Sequence, residues 1–347
     1  GTAPERVART LTAASDGSFE VALGGTHDLQ PGAARGSARL TTPDGVRVAA
    51  EFAAAAADLT LGATSLRGAS TPGSTVAVAV RAPDGATATL GPIENVGDAA
   101  FALGTPESFV PPLPPLAAGS AVTLTVTSPV LADAATVAGT LGSVTVALDP
   151  SRETVAGFAP AGIAVALEAD SLEGLGHRDA ATAGADGAYA VSWSGAVDLR
   201  AGWRVRAAYD VAPGLSVGAL AVIPAIHVGV GLPESRGLAE PGQAVTVTLE
   251  SPGGARLSIR ETADDQGAYA IAFGSPFSPV PSGPRPGDRV EVSVVRDDPL
   301  VLEVPSLSAV ADVAADAVRG EAPPGSAVRV RVDSADGAPA AEAVADA

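Results

Sequence analysis

TAGADGAYAVSW, residues 182–193, decides the fold. Asp186-Gly187 is a small polar pair tolerant of positive φ, as a tight turn requires. Tyr189 and Val191 then begin an alternation of apolar and small residues, the period-two pattern of a half-buried strand. The stretch returns as Asp16, Gly17, Phe19, Val21, then as Asp98, Phe101, Leu103, then as Asp265, Gly267, Tyr269, Ile271. Four copies make a repeat protein.

Two more signatures repeat in step with it. One is a glycine followed by Pro-Gly or Ala-Gly and alternating valine: RGASTPGSTVAVAV (67–80), AGFAPAGIAVAL (156–167), RGLAEPGQAVTVTL (236–249) and RGEAPPGSAVRVRV (319–332). The other is LQPGAARGSARL (29–40), LAAGSAVTLTV (116–126), LRAGWRVRAAY (199–209) and RPGDRVEVSVV (285–295). The aromatics Phe19, Phe101, Tyr189 and Tyr269 stand 82, 88 and 80 residues apart. A period of that size, strands of five to seven residues, frequent turn signals and no helical spacing specify an all-β chain of small tandem β-sandwiches, a rod. The Ala-rich segments 51–61 and 309–318 favour helix by composition, but their phase places them in strand slots.

A second rhythm overlies the first. From aromatic to third-signature glycine the counts are 13, 18, 13 and 18 (Phe19 to Gly32, Phe101 to Gly119, Tyr189 to Gly202, Tyr269 to Gly287), so short-loop and long-loop modules alternate. The longer loops, TPESFVPPLPPL (105–116) and SPFSPVPSGPRP (275–286), are Pro-rich and favour extended geometry. The true repeat is a module pair, since Phe19 to Tyr189 is 170 residues and Phe101 to Tyr269 is 168. By phase, residues 1–62 carry the second half of a module and 314–347 the first half of another, with whole modules at 63–149, 150–231 and 232–313. The next aromatic would fall near position 352, and Phe19 of another copy is expected to stand in its place. Phe19 and Val21 would then share a core with Val328, Val330 and Val332.

Composition narrows the function. The net charge of −18, with all 21 basic residues arginine, disfavours nucleic acid and anionic membrane surfaces as partners. No apolar run of 18 residues is present to span a bilayer, so no membrane insertion is expected. The chain opens on Gly1 rather than Met and reads as processed or as a segment. There is no cysteine, hence no disulfide or thiolate chemistry. No nucleophile elbow occurs, and His27, His177 and His227 each lack a second ligand at metal spacing, so no enzyme activity and no resident cofactor are expected.

Three constellations have both a structural and a functional reading. The Asp-Gly pairs are ordinary hairpin turns, yet carboxylates near a module boundary also suit Ca²⁺, and Asp297, Asp298 and Asp312 are the candidates for it. Trp193 and Trp203 lie in one module only and serve either core packing or a sugar-stacking platform for glycan or cell-wall contact. The half-modules would leave strand edges whose unpaired N–H and C=O groups a complementary chain can satisfy.

The succession GxAxPGxxVxVxV, TADxxGxYxV and LxxGxxVxV resembles the tandem bacterial immunoglobulin-like repeats of large surface adhesins and biofilm-associated proteins. It is carried best by Gly237, Pro241, Gly242, Val245, Val247, Thr262, Ala263, Asp264, Gly267, Tyr269 and Ile271, and the module at 63–149 departs from it at Asp98-Ala99-Ala100. The resemblance implies immunoglobulin-like sandwiches in a secreted, non-catalytic stalk or fibre at the cell surface. The expected function is a structural subunit of an extracellular filament, made of copies joined head-to-tail. The alternatives are a segment of a long adhesin stalk and a glycan- or calcium-binding array.

Overall fold

The computed structural model describes residues 9–15, 19–21, 35–41, 46–96, 100–103, 109–128, 134–273, 283–294, 299–312, 314–315, 317–326, 328–330 and 343–345. Every regular element among them is a strand. The Ala-rich segments are strands too, Ala56–Thr60 and Ser308–Asp312, because pairing within a sandwich overrides the weak helical preference of alanine.

Three sandwiches repeat one topology. Sandwich I (56–140) is built of Ala56–Thr60, Leu66–Ala69, Thr75–Arg81, Thr87–Glu94, Ala100–Leu103, Ala121–Thr127 and Ala134–Thr140. Sandwich II (147–222) uses Ala147–Asp149, Thr154–Phe158, Ala164–Ser171, Gly176–Thr182, Ala188–Ser192, Trp203–Ala212 and Leu215–Val222. Sandwich III (225–303) uses Ala225–His227, Glu234–Leu238, Ala244–Glu250, Arg256–Thr262, Ala268–Ala272, Arg289–Val294 and Leu300–Glu303. In each, the first, second and fifth strands form one sheet and the fourth, third, sixth and seventh form the other. The first strand of each lies just ahead of the glycine signature that opens the repeat.

The sequence signatures are the corners of this topology. Gly73, Gly162, Gly242 and Gly325, the Pro-Gly glycines, all have φ between 73° and 79°, a conformation that lets the chain turn into the third strand without a Cβ clash. The alternating valines that follow point inward, as Val76, Val78 and Val80, as Val165 and Leu167, and as Val245, Val247 and Leu249, all buried. Of the first Pro-rich loop, the described part lies on the sheet. Val110 bridges Thr89, and Phe109, Leu113 and Leu116 are buried.

Sandwiches I and II are fused. Leu215–Gly218, in the last strand of II, pairs in parallel with Ala57–Thr60, in the first strand of I, and makes one seven-stranded sheet. Their interiors merge into a single apolar cluster that includes Leu59, Leu141, Leu215 and Val217, whereas sandwich III has its own. Three hairpins lie outside the sandwiches: Arg35–Thr41 with Arg47–Ala53, Ser308–Asp312 with Ala317–Glu321, and Val328–Val330 with Ala343–Ala345.

Candidate functional site

The Asp-Gly-Tyr signature is structural in its geometry. Asp186 Oδ1 accepts from Ala188 N at 3.0 Å, whereas in the last copy the turn is closed not by Asp265 but by its neighbour Asp264, whose Oδ1 accepts from both Gln266 N and Ala268 N at 2.8 Å. Gly187 and Gly267 both take positive φ and receive the amide of the second-strand end, Ala159 and Ala239, on their carbonyls. The tyrosine then crosses the second strand at a glycine, since Gly157 faces Tyr189 and Gly237 faces Tyr269 in the ladder. A Cβ on Gly237 would enter the Tyr269 ring. Having crossed, Tyr189 Oη donates to Thr145 O at 2.6 Å and Tyr269 Oη to Ala225 O at 3.1 Å. The same spacing of 44 residues recurs, and it clasps the fifth strand to the chain just ahead of the first strand in sandwich II and to the first strand itself in sandwich III. Burial pushes the Tyr189 phenol up to about 12 and that of Tyr269 further still.

The tryptophans are core residues, not a sugar platform. Trp193 is 2% exposed, donates Nε1–H to Asp179 Oδ2 at 3.0 Å and meets His177 edge-on, with ring centroids 4.9 Å apart. Trp203 is 5% exposed. Neither ring offers a free face for a sugar, because Trp203 sits at an inward position of the sixth strand and Trp193 is buried just past the end of the fifth. Asp312 closes a turn with Ala315 N at 3.1 Å and pairs with Arg319 at 3.6 Å. Asp297, Asp298 and Val332 lie outside the described residues.

What remains uncovered is apolar strand surface. In the first hairpin, Gly36, Ala38 and Leu40 pair across with Phe52, Ala50 and Val48 and share one face, while Ser37, Arg39, Arg47 and Glu51 lie on the other. Leu40, Val48 and Phe52 on the apolar face are exposed. Phe19, at the repeat position of Tyr189 and Tyr269, is 59% exposed where they are 4% and 5%, and Val21 is also exposed. Val318, the counterpart of fully buried Val155, is 39% exposed, and Val328 and Val330 are half-buried. Val310, on the opposite face of that hairpin from Val318, is exposed as well.

Two further surfaces escaped the sequence reading. One is the fused edge itself, where the Asp58 carboxylate accepts from Ser216 Oγ and pairs with Arg206. The other is a cleft of about 340 Å³ where sandwiches II and III meet, walled by Leu172, Arg200 and Trp203 of II and by Ile226, Val228 and Leu302 of III, among others. The 170-residue pairing of modules was the one signal that neighbouring sandwiches differ in how they join.

No protein-family model matches the chain, and no curated protein matches it. Among solved structures it is similar to a tetra-tandem repeat from the extending region of a large adhesion protein, at 18% identity over 85% of this chain and 89% of that one, with a TM-score of 0.19. It is also similar to a structure described as bearing on the host cell surface retention of a 1.5-MDa bacterial ice-binding adhesin, at 14% identity over 70% and 90%, with a TM-score of 0.17. At such scores the likeness says nothing of what this chain does.

Proposed function

We propose that this chain is a non-catalytic structural subunit of an extracellular filament or surface fibre, in which the 314–347 segment of one copy and the 1–62 segment of the next complete one sandwich. The observation that supports this is the contrast at equivalent core positions: Val155 against Val318, Tyr189 against Phe19, Val217 against Val48, buried in each first case and 39%, 59% and 54% exposed in each second. The strand inventory fits it as well. By repeat position Ser308–Asp312, just ahead of the 314–347 segment, and the three strands within that segment supply the first to fourth strands, the segment of Phe19 supplies the fifth, and the N-terminal hairpin supplies the sixth and seventh. Joining them hides edges that would otherwise pair indiscriminately. A head-to-tail contact is heterologous, and it propagates when its rotation does not close a ring.

Deleting residues 320–347 is expected to leave monomers by sedimentation and no fibres in electron micrographs of material that otherwise forms them. Fibres of normal length from the truncated chain would overturn the proposal. The same exposed faces favour one other reading, a stalk in which neighbouring repeats of one longer polypeptide supply the missing strands. The intact mass of the native protein separates the two.

A further inference from the structure

The cleft on sandwich III has a filled counterpart in the same molecule. At the fused junction, Ala57 N donates to Gly214 O at 2.7 Å and Leu61 N to Gly218 O at 2.8 Å, and Leu59, Leu215 and Val217 are buried between the sandwiches. Shifting by 169 residues carries Gly62 onto Gly231, both with positive φ, and carries Ala57, Asp58 and Leu59 onto Ile226, His227 and Val228. There Ala225–His227 is a sheet edge, and Ile226 and Val228 line the cleft. The same shift carries the N-terminal hairpin onto the last hairpin of sandwich II, so that Gly36 opposite Phe52 occupies the register of Val205 opposite Ala221. Val46, Arg47 and Val48 thereby take the places of Leu215, Ser216 and Val217.

The two surfaces also differ in matched ways. Gly139 has no side chain, and a Cβ there would meet Leu215 at 2.8 Å. Its counterpart Leu302, which pairs with Val290 as Gly139 pairs with Val122, is large, and the residue due to face it, Val46, is smaller than Leu215. The Tyr209 hydroxyl lies against the Gly142 backbone, where a Cβ would run into it. The corresponding pair is Pro305 and Leu40, in which neither a backbone N–H nor a hydroxyl is present. Loss of both partners together keeps such a contact free of an orphaned polar group.

We infer that the cleft of sandwich III receives the N-terminal hairpin of a second copy, Arg47 opposite His227 and Val48 opposite Val228 in a parallel ladder. This rests on the head-to-tail reading and adds to it a second contact between the same two copies. The chain's own hairpin is held elsewhere, since Ala53 exchanges hydrogen bonds with Thr71 Oγ1 of sandwich I.

The chain has no cysteine, so engineered pairs report cleanly. Partners in adjacent strands lie within disulfide reach. Arg47→Cys with His227→Cys in the full chain is expected to give, on mild oxidation, a ladder of covalent multimers that reduction abolishes, with each single variant stopping at monomer or dimer. Val21→Cys with Val318→Cys, in the register of Val191 opposite Val155, tests the completed sandwich separately. Monomers from the first pair, whether unlinked or internally closed, alongside a ladder from the second overturn the docking and leave head-to-tail completion standing. Monomers from both pairs overturn both. A ladder from the first pair alone upholds the docking and overturns the completion.

Discussion

The junction between sandwiches I and II and that between II and III join the same kinds of sandwich by different means. At the first, a strand of one sandwich is a ladder partner of the other, and one core runs through both. At the second, Arg204 Nη1 donates to Gln266 O at 2.9 Å and Val222 lies against Gly267, but the cores stay separate and Ala225–His227 keeps its free edge. The difference teaches that the module pair, rather than the module, is the cooperative unit. A stiff joint arises where an edge strand is covered, and a looser one where only loops and a few side chains meet. Repeat proteins distribute stability between units and their interfaces, so alternating interfaces give alternating cooperativity.

The strongest way to break this comparison is Leu215→Ala. Leu215 is fully buried and packs into the space left by Gly139, so its truncation opens a cavity between the two sandwiches and costs about 3 kcal/mol. Calorimetry of the unaltered chain is expected to show sandwiches I and II melting in one transition and III in another. The variant should lower the first and leave the second in place. Separate transitions for I and II, or an equal drop in both, would dissolve the pair as a unit.

Much of this architecture is legible in the sequence, because its devices are local. The Pro-Gly turns, the alternating valines and the Asp-Gly-Tyr clasp each need a particular residue at a particular spacing, and they recur. The fused edge is not legible. Ala57–Thr60 and Leu215–Gly218 are ordinary strand sequence about 158 residues apart, and nothing within either announces a ladder partner. Trp193 and Trp203 left core packing and sugar stacking both open for a related reason, since a buried position and an exposed stacking position look alike until the face is known. The cleft on sandwich III became readable only against its filled twin.

A smaller effect sharpens the comparison by acting in both units alike. Tyr189→Phe and Tyr269→Phe each remove a clasp to a backbone carbonyl, Thr145 O just ahead of the first strand of II and Ala225 O within that of III, at a cost of about 1 kcal/mol at neutral pH. Sandwich I already carries Phe101 at this place and lacks the hydroxyl. Because the folded phenols titrate above the unfolded value of 10.0, the folded state retains protons that the unfolded state has released. Their contribution is therefore complete below pH 10 and lost as the pH rises, for Tyr189 through about 12. Alkaline melts should show Tyr189→Phe flattening the decline of the fused transition between pH 10 and 12, and Tyr269→Phe that of sandwich III. A decline unchanged by either substitution would assign the alkaline loss to other groups.

The smallest expected effect decides what fuses sandwiches I and II. Asp58 draws on Arg206 and Ser216 across the shared edge, but its side chain is 47% exposed, and a solvated pair of this kind contributes about 0.5 kcal/mol. Asp58→Ala should therefore lower the fused transition only slightly, and added salt should shrink the difference further. Paired with Arg206→Ala, the double variant should lose little more than either single one, since most of what each removes is their mutual contact. The burial of Leu59, Leu215 and Val217 would then carry the junction. That outcome bears on sandwich III, where His227 occupies the place of Asp58. If the carboxylate were what joined the sandwiches, a drop of several kcal/mol would follow its loss, and an edge bearing histidine would lack the means to accept a hairpin. If apolar contact joins them, Ile226, Val228 and Leu302 supply that edge with the same kind of surface, and His227→Asp opposite Arg47 should tighten the contact by no more than Asp58 contributes in its own place.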